Sequence, residues 1–405
     1  MSKRVGVENL LTNYALSKVG AEKDIDGNVR IPGPAWGDFF EIDDISDDDE
    51  FYFTFPVLKD ALARHRRKYP VIKKSKYAAR DGHLYLAIPI DAEVPVEFLK
   101  SLIDDAYEIV WNKLDDTSRL AIELAGLPYD ELMILDRLIE GHGLTAQAKV
   151  IRKLTRPAIL LRTKKSSEAK IPLGASKIGG KPDLPSDTPW PLFTDGKPLA
   201  FLAQLDLAEM AKVGSPIKGL PIDGLLSLFS VWGWVEDGDA DPHVPDVDWD
   251  KQLAWTVVLH TPSGTSLERR KAPRGVNSFK GAILEPISIL SLPNSASEPS
   301  VSELKWTENQ YDSFDSMQMS FHSVQLRHWL KSDSQANHQL GGYAVFQQQY
   351  PEELLGTGRA MLLQIGTDER TEMCWGDGGE LTFYADAKAL AKGRFERLWG
   401  TCQGG

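Results

Sequence analysis

The sequence predicts an α+β protein with a small N-terminal α+β unit and a larger, mostly antiparallel β-rich domain. Helical patterns of apolar residues are concentrated before residue 157, whereas strands alternating with Gly- and Pro-rich loops follow it. That recurrence is typical of a β-barrel or a β-sandwich. A length of 405 residues also exceeds one ordinary domain. We predict an N-terminal α+β domain at 1–125, a helical linker at 126–156 and a β-rich domain at 157–405.

Composition narrows the class of protein. Hydrophobic residues make up 42% of the chain, enough for a substantial core. The net charge of −12 argues against binding to nucleic acid or to anionic membranes and permits a basic protein partner. No apolar run reaches the ~18–20 residues of a membrane span, and no signal peptide is evident. With only Cys374 and Cys402, the chain fits a reduced, cytoplasmic protein. The oligomeric state is open.

The N-terminal unit alternates strands and helices. The aromatic run at 51–55 predicts a strand, and 57–69 predicts a helix with a basic end. Residues 83–90 alternate as a strand does. The clearest helix is at 96–114, where Leu99, Leu102, Ile103, Ala106 and Val110 form one apolar stripe.

Three further helices are predicted before the β-rich domain. They span 117–125, 129–140 and 145–154, and Gly126 and Gly141 end the first two. Asp116 or Thr117 is the predicted N-cap of the first helix, and Thr145 that of the third.

The stretch from Lys177 to Leu207 organises the β-rich domain. It contains the pair Gly179–Gly180, five prolines and Trp190, which together predict an extended loop pinned by the tryptophan. The apolar run at 199–205 then predicts a buried strand. Gln204 and Asp206 fall at its end, where polar groups need hydrogen-bond partners.

The remaining segments of the domain also read as strands and loops. Strands are predicted at 224–234, 253–260, 359–366, 381–385 and 395–403, with a helix starting near Asp386. Residues 288–303 are rich in Ser and Pro, which predicts an exposed loop.

Several motifs in order carry a family resemblance. They are GGxPxLPxxxPWP, PLAFLAQLDL, LPxxGLLSLF, HQLGGY, LLQI and MCWGDGGELTFY. Over about 157–404 the chain resembles the YwqG-like family, a domain of unknown function. The resemblance implies a mostly β domain with an internal duplication and implies no activity. Residues 68–114 also resemble the end of an MmcQ/YjbR-like domain, a small α+β fold.

No catalytic or metal-binding motif in the sequence has the residues and spacing that its chemistry requires. The acidic segments at 41–50 and 236–250 lack the glycine that a calcium loop needs, so they read as solvated loops, with a structural cation as the alternative at 236–250. Lys181 is not part of a P-loop, because Pro182 follows it. Cys374 could act as a nucleophile with His338, but an apolar setting would leave it inert. We predict no catalytic residue, no metal site and no cofactor.

A set of polar and aromatic residues falls within the shared motifs and forms the candidate ligand- or partner-binding site. Its members are Trp190, Gln204, Asp206, His338, Gln347, Gln364, Trp375 and Asp377. Two loops of a duplicated barrel could place them around one cleft. The alternative is structural: Asp377 before Gly378 makes a tight turn, and the glutamines satisfy backbone groups.

Three functions remain open. The first is a non-catalytic, cytoplasmic protein-binding module of bacterial type, such as an immunity protein or antitoxin that neutralises a basic toxin; the eleven tryptophans favour binding. The second is an enzyme acting on a small molecule or carbohydrate, with His338 and Asp377 as acid and base. The third is a structural module whose N-terminal part binds through the basic segment 64–76.

Overall fold

The computed structural model describes most of the chain. The described residues are 2–23, 28–31, 37–44, 51–75, 84–194, 196–231, 256–276, 278–294, 304–330, 337–345, 358–375, 378–395 and 398–403. Residues 45–50 of the acidic segment 41–50, the whole of 236–250, Gln347 and Asp377 lie outside them. The solvated loop predicted at 41–50 was wrong at its start, because residues 41–44 belong to a strand that pairs with residues 51–54. The chain divides into one unit of Met1–Gly143 with Ser323–Ser332 and another of Leu144–His322 with Asp333–Gly405. Where independent domains begin and end stays a prediction.

Within the described residues the first unit contains five whole helices, a six-stranded antiparallel sheet and the last part, from Ser323, of the helix Glu308–Leu330, which begins in the second unit. Its helices are α1 Ser2–Leu16, α2 Lys59–Lys68, α3 Val96–Trp111, α4 Asp116–Ala125 and α5 Glu131–Gly141. Its strands are β1 Glu22–Lys23, β2 Val29–Ile31, β3 Gly37–Asp44, β4 Phe51–Val57, β5 Lys73–Lys74 and β6 Leu84–Pro89, in the order β1-β2-β3-β4-β6-β5.

The predicted apolar stripe of α3 forms part of the core of this unit. Leu102, Ile103 and Ala106 are fully buried against aromatic residues of the sheet such as Phe40 and Phe53. The N-cap prediction for α4 was wrong by one residue: Asp115, not Asp116, accepts from the backbone N–H of Ser118. A residue before the first helical turn is better placed to accept that bond.

The second unit contains a ten-stranded antiparallel sheet among the described residues. Its elements in chain order are α6 Ala148–Leu154, β7 Arg156–Lys165, β8 Lys177–Ile178, β9 Asp183–Leu184, β10 Ala200–Asp206, α7 Leu207–Val213, β11 Leu225–Ser230, β12 Thr256–Thr261, β13 Glu268–Arg269, β14 Ala282–Ser291, α8 Glu308–Leu330, β15 Gln339–Leu340, β16 Arg359–Gly366, β17 Glu380–Asp386, α9 Ala387–Leu390 and β18 Leu398–Gln403. The sheet order is β12-β11-β10-β8-β14-β7-β15-β16-β17-β18, and β9 pairs separately with β13.

The ten strands form a nearly closed barrel, because the two terminal strands of that order, β12 and β18, contact each other. This confirms the predicted fold class: an α+β protein with a small N-terminal α+β unit and a barrel-like antiparallel domain. No helix among the described residues has the length and apolar character needed to cross a membrane.

The barrel is internally duplicated about the central β7–β14 ladder. Arg162 pairs with Glu285 in that ladder. On β14, strand β8 pairs with Ala282 and Ile283, which stand three and two positions before Glu285. On β7, strand β15 pairs with Ile159 and Leu160, three and two positions before Arg162. A local two-fold axis therefore passes through the Arg162–Glu285 pair. We name β8, β10, β11 and β12 with β14 the first copy, and β15 to β18 with β7 the second copy.

Two further elements, a helix and a strand end, differ from the sequence-based prediction. The 23-residue helix α8 was not predicted. Its buried residues Phe314, Met317, Phe321 and Val324 do follow a helical spacing, but Ser, Asp, Gln and His occupy most positions between them and hide the stripe. The exposed loop predicted from residue 288 was wrong at its start, because Ser288–Ser291 complete β14.

Thr145 begins a short 3-10 helix, Thr145–Gln147, rather than capping α6. The α-helix starts at Ala148, and Gln147 precedes it without a side-chain cap. The described parts of the predicted strands at 224–234 and 253–260 form β11 and β12.

Candidate functional site

Trp190 pins the Pro-rich loop of the first copy. Its indole Nε1 donates to the backbone oxygen of Leu199 at 2.9 Å. Its ring meets that of Phe229 edge to face, with centroids 5.4 Å apart. The side chain is half-buried. A tryptophan held by both a hydrogen bond and an aromatic contact gives this loop a fixed conformation.

Gln204 and Gln364 occupy equivalent positions in the two copies and make equivalent bonds. Gln204 pairs across the sheet with Lys177, and Gln364 pairs with Gln339. Each is fully buried. Gln204 Oε1 accepts from the backbone N–H of Asp183 at 2.9 Å, and Gln364 Oε1 accepts from that of Val345 at 3.1 Å. Asp183 and Val345 both lie six positions after the paired residues, Lys177 and Gln339.

The turns that these glutamines hold are also equivalent. Each short strand, β8 or β15, runs into a glycine pair in the left-handed region: φ is 64° and 72° at Gly179 and Gly180, and 67° and 75° at Gly341 and Gly342. Residues with a Cβ rarely adopt this conformation, so the turn selects glycine in both copies. The bulges in β10 and β16 also correspond, between Phe201 and Ala203 and between Met361 and Leu363.

Asp206 is a helix cap. Its Oδ1 accepts from the backbone N–H groups of Ala208 at 2.9 Å and Glu209 at 3.4 Å, at the start of α7. Asp386 does the same at the start of α9, accepting from Lys388 and Ala389. These carboxylates satisfy backbone donors that a helix leaves unpaired.

His338 is buried and both of its ring nitrogens are engaged. Nδ1 accepts from the backbone N–H of Gly366 at 3.1 Å, so the proton of the neutral ring sits on Nε2, which lies 3.3 Å from Asp368 Oδ2. Burial raises the pKa of Asp368, but the hydrogen bond from His338 and the backbone N–H of Arg370 outweigh it, so the pKa is below its usual value. Asp368 is not among the site residues predicted from the sequence.

Trp375 belongs to the core of the second copy. It is 3% exposed and meets Phe279 edge to face at 5.8 Å. Its backbone N–H donates to Thr367 Oγ1 at 3.0 Å, which orders the turn after β16. The next two positions, Gly376 and Asp377, are not described, and neither is Gln347. Cys374 is exposed, so the apolar setting expected for its thiol was wrong.

The first copy contains a buried ionic network that sequence analysis missed. Asp183 is fully buried and accepts from Arg269 Nε at 2.8 Å, from Gln204 Nε2 at 2.9 Å and from the backbone N–H of Gly174 at 2.9 Å. Burial raises its pKa, but these donors and Lys177 lower it more, so Asp183 is ionised with its pKa below the usual value.

Lys177 is the second fully buried ion of this network. Its Nζ lies 3.2 Å from Asp183 Oδ2 and 3.9 Å from Glu168 Oε1, at ion-pair distance but without hydrogen-bond geometry. Burial lowers its pKa, and Asp183 opposes that shift. Arg269 also donates to the backbone oxygens of Glu168, Ile171 and Pro172, which fastens that segment to the barrel. The charged residues therefore stabilise the fold of the first copy.

A groove opens beside this network. Its volume is about 380 Å³, and it is lined by Lys165, Ser166, Ser167, Glu168, Gly180, Lys181, Ser278, Phe279, Lys280, Gly281 and Arg370. None of the six predicted site residues that the structure describes lines it. Within the described residues, no group of three or more His, Cys, Asp or Glu side chains could hold a metal ion.

The fold and site define a duplicated antiparallel β domain in which one copy carries a charged network beside an open groove. The sequence matches the model of the Domain of unknown function (DUF1963) over residues 176–403, more than half of the chain. The protein belongs to this family, in agreement with the YwqG-like resemblance. The MmcQ/YjbR-like resemblance of 68–114 stays a prediction. The curated proteins include no match to this chain.

Proposed function

We propose that the protein is a non-catalytic binding module that recognises another protein. One observation carries the proposal: the described polar residues of the shared motifs use their polar atoms to hold the fold. Gln204 and Gln364 bind the backbone of the glycine turns, Asp206 caps α7, and His338 is fully engaged by Gly366 and Asp368. A catalytic group needs an atom left to meet a substrate.

The composition supports the kind of partner. A net charge of −12 favours a basic protein, because complementary charge accelerates encounter and disfavours acidic competitors. An inhibitor or immunity protein that neutralises a basic toxin would be one form of this function. The chain has two cysteines, Cys374 and Cys402, and so low a cysteine content supports a place in the reducing cytoplasm.

The enzymatic alternative has less support. His338 is 1% exposed, and a general base must come within hydrogen-bond reach of its substrate. Catalysis with Asp377 would require His338 to leave Asp368. The sequence-based idea that the basic segment 64–76 binds the partner is tested by the same experiment as the main proposal.

Capture from a native lysate, followed by reconstitution with the purified partner, tests the proposal. Leu192 is a suitable probe because it is 56% exposed on the loop pinned by Trp190. We expect Leu192→Asn to weaken a stoichiometric complex about tenfold or more, since apolar anchors on rigid loops dominate interfaces. The control is Ile222→Asn, at a residue that is 72% exposed outside that loop.

Each result has a defined meaning. Loss of the complex in Leu192→Asn alone supports recognition by the Pro-rich loop. Loss only on charge reversal of Arg64, Arg66 and Arg67 would move recognition to the first unit. The absence of any complex that reconstitutes from purified components contradicts the proposed function.

A further inference from the structure

The groove of the first copy carries a local excess of positive charge in an acidic chain. Four cationic side chains line it, those of Lys165, Lys181, Lys280 and Arg370. Two of them have acidic neighbours: Lys280 pairs with Glu372, and Arg370 Nη1 lies 3.7 Å from Asp368 Oδ1. Lys165 and Lys181 are exposed and have no carboxylate partner among the residues that the structure describes. Their two charges are available to a ligand.

Among the residues that the structure describes, Glu168 is the acidic residue that lines the groove, and neighbouring groups already compensate its charge. Glu168 Oε1 accepts from the backbone N–H of Lys181 at 3.2 Å and lies 3.5 Å from Arg269 Nε and 3.9 Å from Lys177 Nζ. The other oxygen of Glu168 packs on Gly180 and Gly281, where a Cβ on Gly281 would lie 2.6 Å from it. Glu168 is therefore held in place, and its charge does not cancel the charges of the groove lysines.

The second copy lacks these features at the equivalent positions. Under the two-fold relation, the residue equivalent to Lys165 is Ser288, the residue equivalent to Lys181 is Tyr343, and the residue equivalent to Lys280 is Pro157. Three of the four cations thus have uncharged counterparts.

The groups packed against the glycine pair also differ in the second copy. Ser291 replaces Glu168, and its Oγ accepts from the backbone N–H of Tyr343 at 3.1 Å. Ala158 replaces Gly281, and a Cβ built on Gly342 would lie 2.7 Å from the Cβ of Ala158. The first copy therefore surrounds the shared turn with a groove lined by four cations. At the corresponding positions the second copy has one cation, Arg156, which stands where the first copy has Phe279 and lies 4.1 Å from the centre of the Tyr343 ring. The requirements of the fold do not account for the charges.

We propose that this groove binds a small molecule that carries a phosphate or carboxylate group. Lysine ammonium groups and an arginine fork are the side chains that pair with such anions. Ser166, Ser167 and Ser278 add hydroxyl groups to the lining, and Phe279 adds an apolar wall for an organic part. A volume of about 380 Å³ suits a small ligand. The inference does not depend on a protein partner.

Titration of the full chain with three probes tests this site. The probes are inorganic phosphate, glycerol phosphate and succinate, added at constant ionic strength and followed by calorimetry and by the amide NMR signals of Gly180 and Lys181. We expect saturable binding that weakens about tenfold or more in the double variant Lys165→Gln/Lys181→Gln and weakens with added salt. The double variant Lys212→Gln/Lys218→Gln removes the same charge from exposed positions outside the groove and should bind as the wild type does.

The outcomes separate the ligand classes. Binding of the two phosphates alone assigns a phosphate group, and binding of succinate alone assigns a carboxylate; either supports the site. Equal affinity in both double variants, with both folded by circular dichroism, would overturn it. Failure of all three probes to bind the wild type would also overturn it, whatever the capture experiment for the protein partner returns.

Discussion

The two copies of the barrel share a backbone plan and differ in how they fill it. Both have a short strand, a left-handed glycine pair and a bulge. In both, a buried glutamine accepts from the backbone N–H of the residue that lies six positions after the glutamine's cross-strand partner. The first copy surrounds this plan with Lys177, Asp183 and Glu168, where the second has Gln339, Val345 and Ser291.

This difference separates what the geometry requires from what it merely permits. A left-handed turn needs glycine, and a buried turn amide needs an acceptor, so these features recur. A buried ion pair is seldom needed for stability and is costly to break once present. The charges of the first copy are therefore where specialised binding is best sought, and also where the fold is easiest to damage.

The largest expected effect comes from removing the central carboxylate. Asp183→Ala leaves the buried Lys177 and the partly exposed Arg269 without their shared partner, and we expect a loss of about 3–5 kcal/mol in the free energy of unfolding. The matched change in the second copy, Val345→Ala, should cost about 1 kcal/mol, because this half-buried residue loses only apolar contacts. Urea unfolding measures both. Similar losses of unfolding free energy in the two variants would mean that the ionic network does not stabilise the first copy more than apolar contacts stabilise the second.

Substitution of the equivalent glutamines should lower the free energy of unfolding by less than Asp183→Ala does, and by different amounts in the two copies. Gln204 makes three hydrogen bonds, one of them to the ionised Asp183, whereas Gln364 makes two to the backbone of Val345. We expect about 3 kcal/mol for Gln204→Ala and about 2 kcal/mol for Gln364→Ala. Thermal and urea unfolding of the two single variants would show the order, and a reversed order would contradict the view that charge strengthens the first turn.

Low pH should destabilise both copies of the barrel, because each contains a carboxylate whose folded-state pKa is lowered. The folded-state pKa values of Asp183 and Asp368 lie below their usual range, so each carboxylate stabilises the fold above the unfolded pKa of about 3.8. That contribution is lost as the pH falls from about 4 through the folded pKa values. We expect unfolding free energy to drop in this window and the drop to shrink in Asp183→Asn and in Asp368→Asn. An unchanged slope in both variants would exclude these groups.

The smallest effect belongs to the axis of the duplication. Arg162 Nε donates to Glu285 Oε2 at 2.9 Å, and Lys164 Nζ lies 2.9 Å from the same oxygen, but all three side chains are at least one-third exposed. Solvent screens such pairs, so Glu285→Gln should cost at most about 1 kcal/mol and less at high salt. A larger, salt-independent loss would show that the axial pair organises the barrel.

Local patterns predicted a large part of the fold. A few residues are enough to show the pattern of apolar residues in three elements: helix α3, the aromatic strand β4 and the apolar strand β10. Helix α8 was not predicted, because polar residues, which a helix tolerates on its exposed faces, interrupt its apolar stripe. Gln204 and Gln364 were correctly marked as residues in need of partners, but which backbone groups they bind depends on turns folded back over the sheet.

The sequence by itself determined the fold class, the position of the glycine turns and the membership of a family of unknown function. Tertiary structure alone decided that Asp183 meets Arg269, which is 86 residues away, and that Lys165, Lys181, Lys280 and Arg370 share one groove. The physical reason is range: backbone propensity and apolar period act over a few neighbours. Charges and hydrogen bonds act between whatever groups the folded chain brings within a few ångströms of each other.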